Sequence, residues 1–599
     1  MSQPHPAPDS GPILRIGGAS AFWGDSSMGI EQLVQSGNVD VLVFDYLAEL
    51  TLSLMARARV KDAEAGYATD FVQGVAPWLR HIKDAGIRLL SNAGGINPQA
   101  CARALRAAAR QAGVELRIAV IEGDDLSAEI DSLRAAGVRE MFSGAALPQK
   151  LTSINAYLGA QPVAAALAAG ADVVITGRCV DSALALGALI HHFGWRADDF
   201  DRLAAGSLVG HMLECTTQTT GGLYTDWELV PDWENIGYPI AECAADGSFV
   251  LTKPQGTGGL ILPTVAAEQM LYEIGNPGDY PLPDVRCDFT GVTIEAVGKD
   301  RVRFSGARGT APGDAYKVSA TFHDGFRLSS SLTIVGDDAS AKAQRVAAAI
   351  LARTRGMLER AGFSDYTATE VEVLGSEVPS YGAGARARAS REVVLRLTCS
   401  HESAAALNIL AREFAPFGTA GAPGTTGFSG RAKAQPVFRL FSFLWPQNRI
   451  PVTLEIDGAV TAIPLAQGIS AQSALSPSRY PEASLADGER IRVPIYRLAV
   501  ARSGDKGDNA HIAIIARDPR FVPFIGHALS CEAVGAHLRH LAHGPITRYD
   551  VPGVNAYSFV LQQALGGGGA ASLRNDPLGK TFGQILLAFE LEVPRAYLD

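Results

Sequence analysis

The chain has 599 residues, with 52 Lys and Arg against 62 Asp and Glu and a formal net charge of −10. With 47% hydrophobic and 19% charged residues it has the composition of a globular protein with enough chain for several domains. The acidic balance argues against nucleic acid as the main partner, and no apolar run reaches the roughly 20 residues that a membrane helix needs.

The opening MSQPHPAPDS (1–10) lacks a charged and an apolar region, so it reads as a disordered polar tail and not as a secretory signal. The seven cysteines (101, 179, 215, 243, 287, 399 and 531) are odd in number and contain no CxxC pair. Neither a disulfide framework nor a zinc site follows, and a cytoplasmic, reducing setting is expected.

Residues 11–280 alternate strand and helix signals. ILRIGGASAF leads to a helix at 27–36, DVLVFDY (40–46) and IRLLSNAGG (87–95) are strands, and Pro98 is placed to open a helix at 98–112. ELRIAVIEGDD (115–125) and ADVVITGR (171–178) continue the pattern, with a helix at 180–192. Apolar strand runs separated by helices predict an α/β domain with a mostly parallel sheet, whose ligands bind at the carboxyl ends of the strands. Polar residues gather there, among them Ser20, Asp25, Asp45, Asn92, Asn97, Asp124, Asp125, Thr176, Arg178 and Asp181.

Residues 281–472 read as an α+β region packed on the first domain. Its strands include YKVSATFHDG and FRLSSSLTIVG, and its helices fall at 338–355 and 402–415. The Pro- and Ser-rich stretch 473–490 reads as a linker. Residues 491–599 suit a small ferredoxin-like α+β domain with a helix at 520–542.

The densest chemical motif is GHMLECTTQTTGG (210–222). His211 and Glu214 are three residues apart and share a helix face, which suits an acid–base pair. Cys215 is a candidate nucleophile if a neighbour lowers its pKa, and otherwise a small core residue. Thr220 and the following glycines suit close approach to a substrate. Arg178 and Asp181 in ITGRCVDSA stand at a strand end, where Arg178 suits a carboxylate or phosphate.

KPQGTGGL (253–260), with Gly258, is either a phosphate cradle or a wide turn. IGGASAFWGD lacks the GxGxxG spacing and no GxxxxGK[ST] loop occurs, so nicotinamide cofactors and nucleoside triphosphates are not expected. ARSGDKGDNAHIAIIA (501–516) carries more charge than a hairpin needs, so Ser503, Lys506 and Asn509 are candidates for closing over a polar ligand.

Many of these strings resemble the acyclic terpene utilisation protein A family in their order. They are IGGASAFWGD, NAGGINP, VIEGDD, INAYLGA, VVITGRCVDSALALGALIHHFGW, GHMLECTTQTTGG, GYPIAE and PQGTGG. ARSGDKGDNAHIAIIA resembles the start of that family's ferredoxin-fold module. Cys179 and Cys243 stand where aliphatic residues are expected. The resemblance implies a bacterial catabolic protein of acyclic terpene degradation through acyl-CoA thioesters, alongside an acyl-CoA carboxylase. It assigns no catalytic residues.

The reading that results is a catabolic enzyme acting on an acyl-CoA thioester or a carboxylate by hydratase- or lyase-type chemistry. Glu214, His211 and Cys215 are the catalytic candidates. Asp25, Asn92, Asn97, Asp124, Arg178, Asp181, Thr220, Gly258, Ser503, Lys506 and Asn509 are the substrate-binding candidates. No tightly bound cofactor and no metal are expected. A homo-oligomer is expected. Two alternatives stand beside it: a non-catalytic assembly partner of an acyl-CoA carboxylase, and a metal-dependent hydrolase using Asp25, Asp45, Asp124 and Asp125.

Overall fold

The computed structural model describes residues 12–427, 430–466, 468, 477–481, 488–569 and 571–598. The tail 1–10 and most of the linker 473–490 lie outside the described residues. The chain separates into two compact units. One holds the described parts of Met1–Ala320, Phe441–Glu482 and Tyr549–Tyr557, and the other those of Thr321–Leu440, Ala483–Arg548 and Ser558–Asp599.

The first unit is α/β. Its strands include β1 (Leu14–Ser20), β2 (Val41–Phe44), β3 (Arg88–Ser91), β4 (Ile118–Glu122), β5 (Ser153–Ala156), β6 (Val173–Thr176), β7 (Ile240–Cys243) and β8 (Phe249–Thr252). The order β1-β2-β3-β6-β4 is parallel throughout. β2 and β6 are buried at every position, as strands covered on both faces must be.

The sheet is larger and less parallel than the sequence predicts. Among the described residues, antiparallel strands extend both edges and bring the sheet to eleven strands: β7, β8, Arg301–Ser305 and Thr293–Gly298 beyond β1, and Thr453–Ile456 and Ala459–Ala462 beyond β4. β7 and β8 are four residues each and lie in a stretch without a clear period, which hid them.

The predicted helix at 98–112 is present as Pro98–Ala112. Asn97 accepts from the Ala100 N–H, Pro98 opens the first turn, and Gly113 closes it at φ +64°.

In the second unit, Phe326–Val335 pairs with Glu392–His401, which pairs with Ala368–Leu374. The helices Ala339–Arg360 and Ala404–Phe414 pack on this sheet through Leu332, Val346, Ile350, Leu407 and Leu410. YKVSATFHDG and FRLSSSLTIVG are not separate strands. Ala315–Val335 runs through Asp324-Gly325 without reversing, and Gly325 takes the irregularity at φ +73°.

The C-terminal region has the ferredoxin-like sheet, ordered Ala499–Lys506, Asn509–Ala516, Ala556–Leu561 and Ile546–Val551. The helix predicted at 520–542 is two short helices, Val522–Ala528 and Cys531–His537. The break falls where the Ser530 hydroxyl accepts from Ala533 N–H and starts a new helix. Among the described residues, no helix is long and apolar enough to cross a membrane.

Candidate functional site

The carboxyl ends of β2, β3 and β6 carry Asp45, Asn92 and Arg178. The buried Asn92 amide donates to Asp45 Oδ1 at 2.7 Å, and its carbonyl accepts from Tyr46 N–H at 2.8 Å. Asp45 Oδ1 also accepts from Leu47 N–H at 3.1 Å. Arg178, only 4% exposed, donates through Nη1 to Asp181 Oδ1 at 2.8 Å and to the Cys179 carbonyl at 2.7 Å.

The helix Phe200–Glu214 brings the other half of the site. It is buried over most of its length, and Gly210 lies against Ser182 at the start of the neighbouring helix Ala183–Phe193. A β-carbon on Gly210 would sit 2.4 Å from Ser182 Cα, so only glycine permits this approach. The next residues on that turn are His211 and, one turn on, Glu214.

One carboxylate oxygen each of Asp45, Asp181 and Glu214 lie within 4.8 Å of one another. Burial is the main cause that pushes the Asp45 carboxyl up to about 8. The charge of Asp181 adds to it, while Arg178 and Asn92 oppose it.

His211 and Glu214 form a hydrogen-bonding pair. His211 Nε2 lies 3.0 Å from the Gln269 main-chain carbonyl, which can only accept, so Nε2 carries a hydrogen. Nδ1 lies 3.0 Å from Glu214 Oε1. A bare Nδ1 lone pair facing a bare carboxylate would be repulsive. A proton therefore sits between them, on one partner or the other. Gln269, on the helix Pro263–Met270 and 1% exposed, also donates its side-chain amide to the His211 carbonyl at 3.4 Å. It clasps the turn that carries the pair.

Asp124 supports the site from behind. Its Oδ2 accepts from Arg178 N–H at 2.7 Å and from the Asn155 amide at 2.8 Å, and burial pushes its carboxyl up to about 7. Gly177 makes room for it, since a β-carbon there would meet Asp124 Oδ1 at 2.3 Å.

Tyr157 and Lys317 are residues that the sequence reading missed. The Arg178 guanidinium stands 4.2 Å from the Tyr157 ring centroid and the Lys317 ammonium 4.7 Å from it. Tyr157 follows β5, and its N–H donates to the Lys317 carbonyl at 2.9 Å. A lysine on an alternating strand carries no motif, so nothing in the sequence marked it.

The remaining candidates fall elsewhere. The Asp25 carboxylate accepts from Ala21 and Ser26 N–H and lines a cleft of about 270 Å³ with Ser20, Tyr46 and Asp70. Asn97 caps its helix and donates to the Ala63 and Ala65 carbonyls. Thr220 Oγ1 donates to the Gly237 carbonyl at 2.6 Å, and Gly258 lies so close to the Asp232 carbonyl that a β-carbon would clash at 2.1 Å. Both hold loops. Cys215 is the partly buried residue that ends the helix of the pair.

In the second unit, Lys506 and Asn509 flank a two-residue hairpin turn, Gly507-Asp508. The Ser503 hydroxyl donates to the Lys580 carbonyl and accepts from Gly583 N–H. Asp505 pairs with Lys580 at 3.2 Å, and Asp508 accepts from Leu565 and Gly567 N–H. Much of the charge in ARSGDKGDNA thus holds the glycine-rich segment beside it.

The fold and site define a mixed α/β protein with a carboxylate-rich centre at its strand ends and a ferredoxin-like region at its C-terminal end. The model of the acyclic terpene utilisation family protein AtuA matches residues 14–456, and that of the AtuA ferredoxin-like domain matches residues 493–592. The chain belongs to the acyclic terpene utilisation protein A family. No curated protein matches it.

Proposed function

We propose that the chain is an enzyme of acyclic-terpene or branched-chain acyl catabolism. It acts on an acyl-CoA thioester or a carboxylate by acid–base chemistry of the hydratase or lyase type. Family membership supports the catabolic role. The observation that carries the chemistry is the 3.0 Å approach of His211 Nδ1 to Glu214 Oε1, beside Asp45 and Asp181.

In a hydration, Glu214 takes a proton from water as the water oxygen bonds to the β-carbon of an unsaturated thioester. The carbon–carbon double bond's electron pair shifts to the α-carbon, which takes a proton from the pair. Water is consumed and no oxidant is needed. Gln269 holds the His211 ring in the orientation this requires. The test is whether the purified chain alone interconverts a branched 2-enoyl-CoA and its 3-hydroxy form. Turnover only with an added acyl-CoA carboxylase would favour the assembly-partner reading.

A second reading is favoured by one observation. The Asp45, Asp181 and Glu214 oxygens are close enough to share a hard divalent cation such as Mg²⁺, which takes oxygen ligands. This set shares only Asp45 with the set expected from sequence. Titrating MgCl₂ and MnCl₂ calorimetrically into wild type and Asp181→Asn tests it. Saturable binding lost in the variant supports a metal-dependent hydrolase, and no binding dismisses it.

A further inference from the structure

We propose that the exposed face built from Trp227, Leu229 and Trp233 docks on the solvent side of the helix Glu49–Lys61 in a second copy of this chain. The stretch 223–233 leaves four large apolar side chains more than half exposed: Leu223 at 71%, Trp227 at 58%, Leu229 at 60% and Trp233 at 56%. Exposed apolar residues scattered singly need no explanation, but four in one short stretch mark a contact surface. The two indole rings meet, with centroids 6.1 Å apart and planes at 72°. The backbone beneath them is anchored. Tyr224, Thr225 and Val230 are buried, Thr225 N–H donates to the Glu268 carboxylate, and Gly259 N–H donates to the Pro231 carbonyl. A fixed support of this kind lowers the ordering cost of association, and Trp is enriched at interface hot spots.

Charge selects the occupant. Glu228, Asp232 and Glu234 flank the two tryptophans in sequence and are exposed, and none is in an ion pair among the described residues. Residues 221–240 contain no Lys or Arg. Two copies of this face laid on each other would oppose like charges, so it does not pair with itself. It calls for an apolar surface that carries cations. The helix Glu49–Lys61 has one: Leu54, Arg57 and Lys61 recur at spacings of three and four on its exposed side, Val60 lies beside them, and no carboxylate occurs from 50 to 61. Leu54 is 53% and Val60 89% exposed, and Lys61 has no carboxylate partner among the described residues. The two faces differ, so the contact is heterologous: each copy offers one face and receives on the other.

The test is sedimentation velocity of the full chain over a range of concentrations. Wild type should self-associate, and added NaCl should weaken the association because opposite charges meet. Trp227→Ser/Trp233→Ser should weaken it about tenfold or more, and so should Leu54→Asp/Lys61→Glu. Mixing the two variants should restore pairing, since the first keeps the helix face and the second keeps the tryptophan face. A wild-type chain that stays monomeric overturns the proposal, as does unchanged association in the tryptophan variant. Association that salt strengthens overturns the charge pairing. Two variants that circular dichroism shows to be folded, yet that do not pair on mixing, overturn the helix as the partner surface. Should either variant misfold, Trp227→Gln/Trp233→Gln or Lys61→Glu alone takes its place.

Discussion

Gly210 and Ser182 touch so closely that a β-carbon on the glycine would lie 2.4 Å from Ser182 Cα. That contact fixes how the helix bearing His211 and Glu214 meets the segment bearing Arg178 and Asp181. Gly210→Ala should force the two apart. We expect a loss of about 1–3 kcal/mol in stability, as for other overpacked sites, and a larger proportional loss of turnover. Urea unfolding and a rate assay on one sample check both.

Asn92 joins two strand ends by donating to Asp45 and accepting from Tyr46 N–H. Asn92→Leu keeps the bulk and removes both bonds, leaving a buried carboxyl and a buried N–H with fewer partners. A stability loss of about 2 kcal/mol or more is expected from the urea midpoint. A change within error would show that neighbouring groups replace both bonds.

Asp124 gives a pH prediction. Burial raises its carboxyl to about 7 from an ordinary value of 3.8, so in that window the folded chain holds a proton that the unfolded chain releases. Its contribution to stability is full below the unfolded value and is lost as pH rises through the folded one. Asp124→Asn removes this dependence. The difference in Tm between variant and wild type should move in the variant's favour from about pH 4 to about pH 8. A pH-independent difference would contradict the assignment.

The His211–Glu214 pair was legible in the sequence because both residues lie on one helix, where a spacing of three decides that side chains meet. The parallel strands were legible because burial on both faces leaves unbroken apolar runs. The rest depended on contacts between distant segments. Asp45 stands out as a strand-end acid, but the packing of Gly210 on Ser182 and of Leu213 on Gly18 brings Glu214 to it. Lys317 and Tyr157 meet through a strand pairing that no local pattern encodes. The polar loop 502–509 shows a related dependence on distant residues. Asp505 and Asp508 bind residues beyond 560, so their charge reads as spare until those residues are placed.

Under the proposed acid–base chemistry, the Glu214 carboxylate moves a proton in turnover. The most direct measurement is the steady-state rate of the full chain on a branched 2-enoyl-CoA, wild type against Glu214→Gln, with Tm recorded for both. Gln can still donate to His211 Nδ1, so the fold should hold while the rate falls by about 10²-fold or more. A Glu214→Gln chain that keeps the wild-type rate would contradict that chemistry.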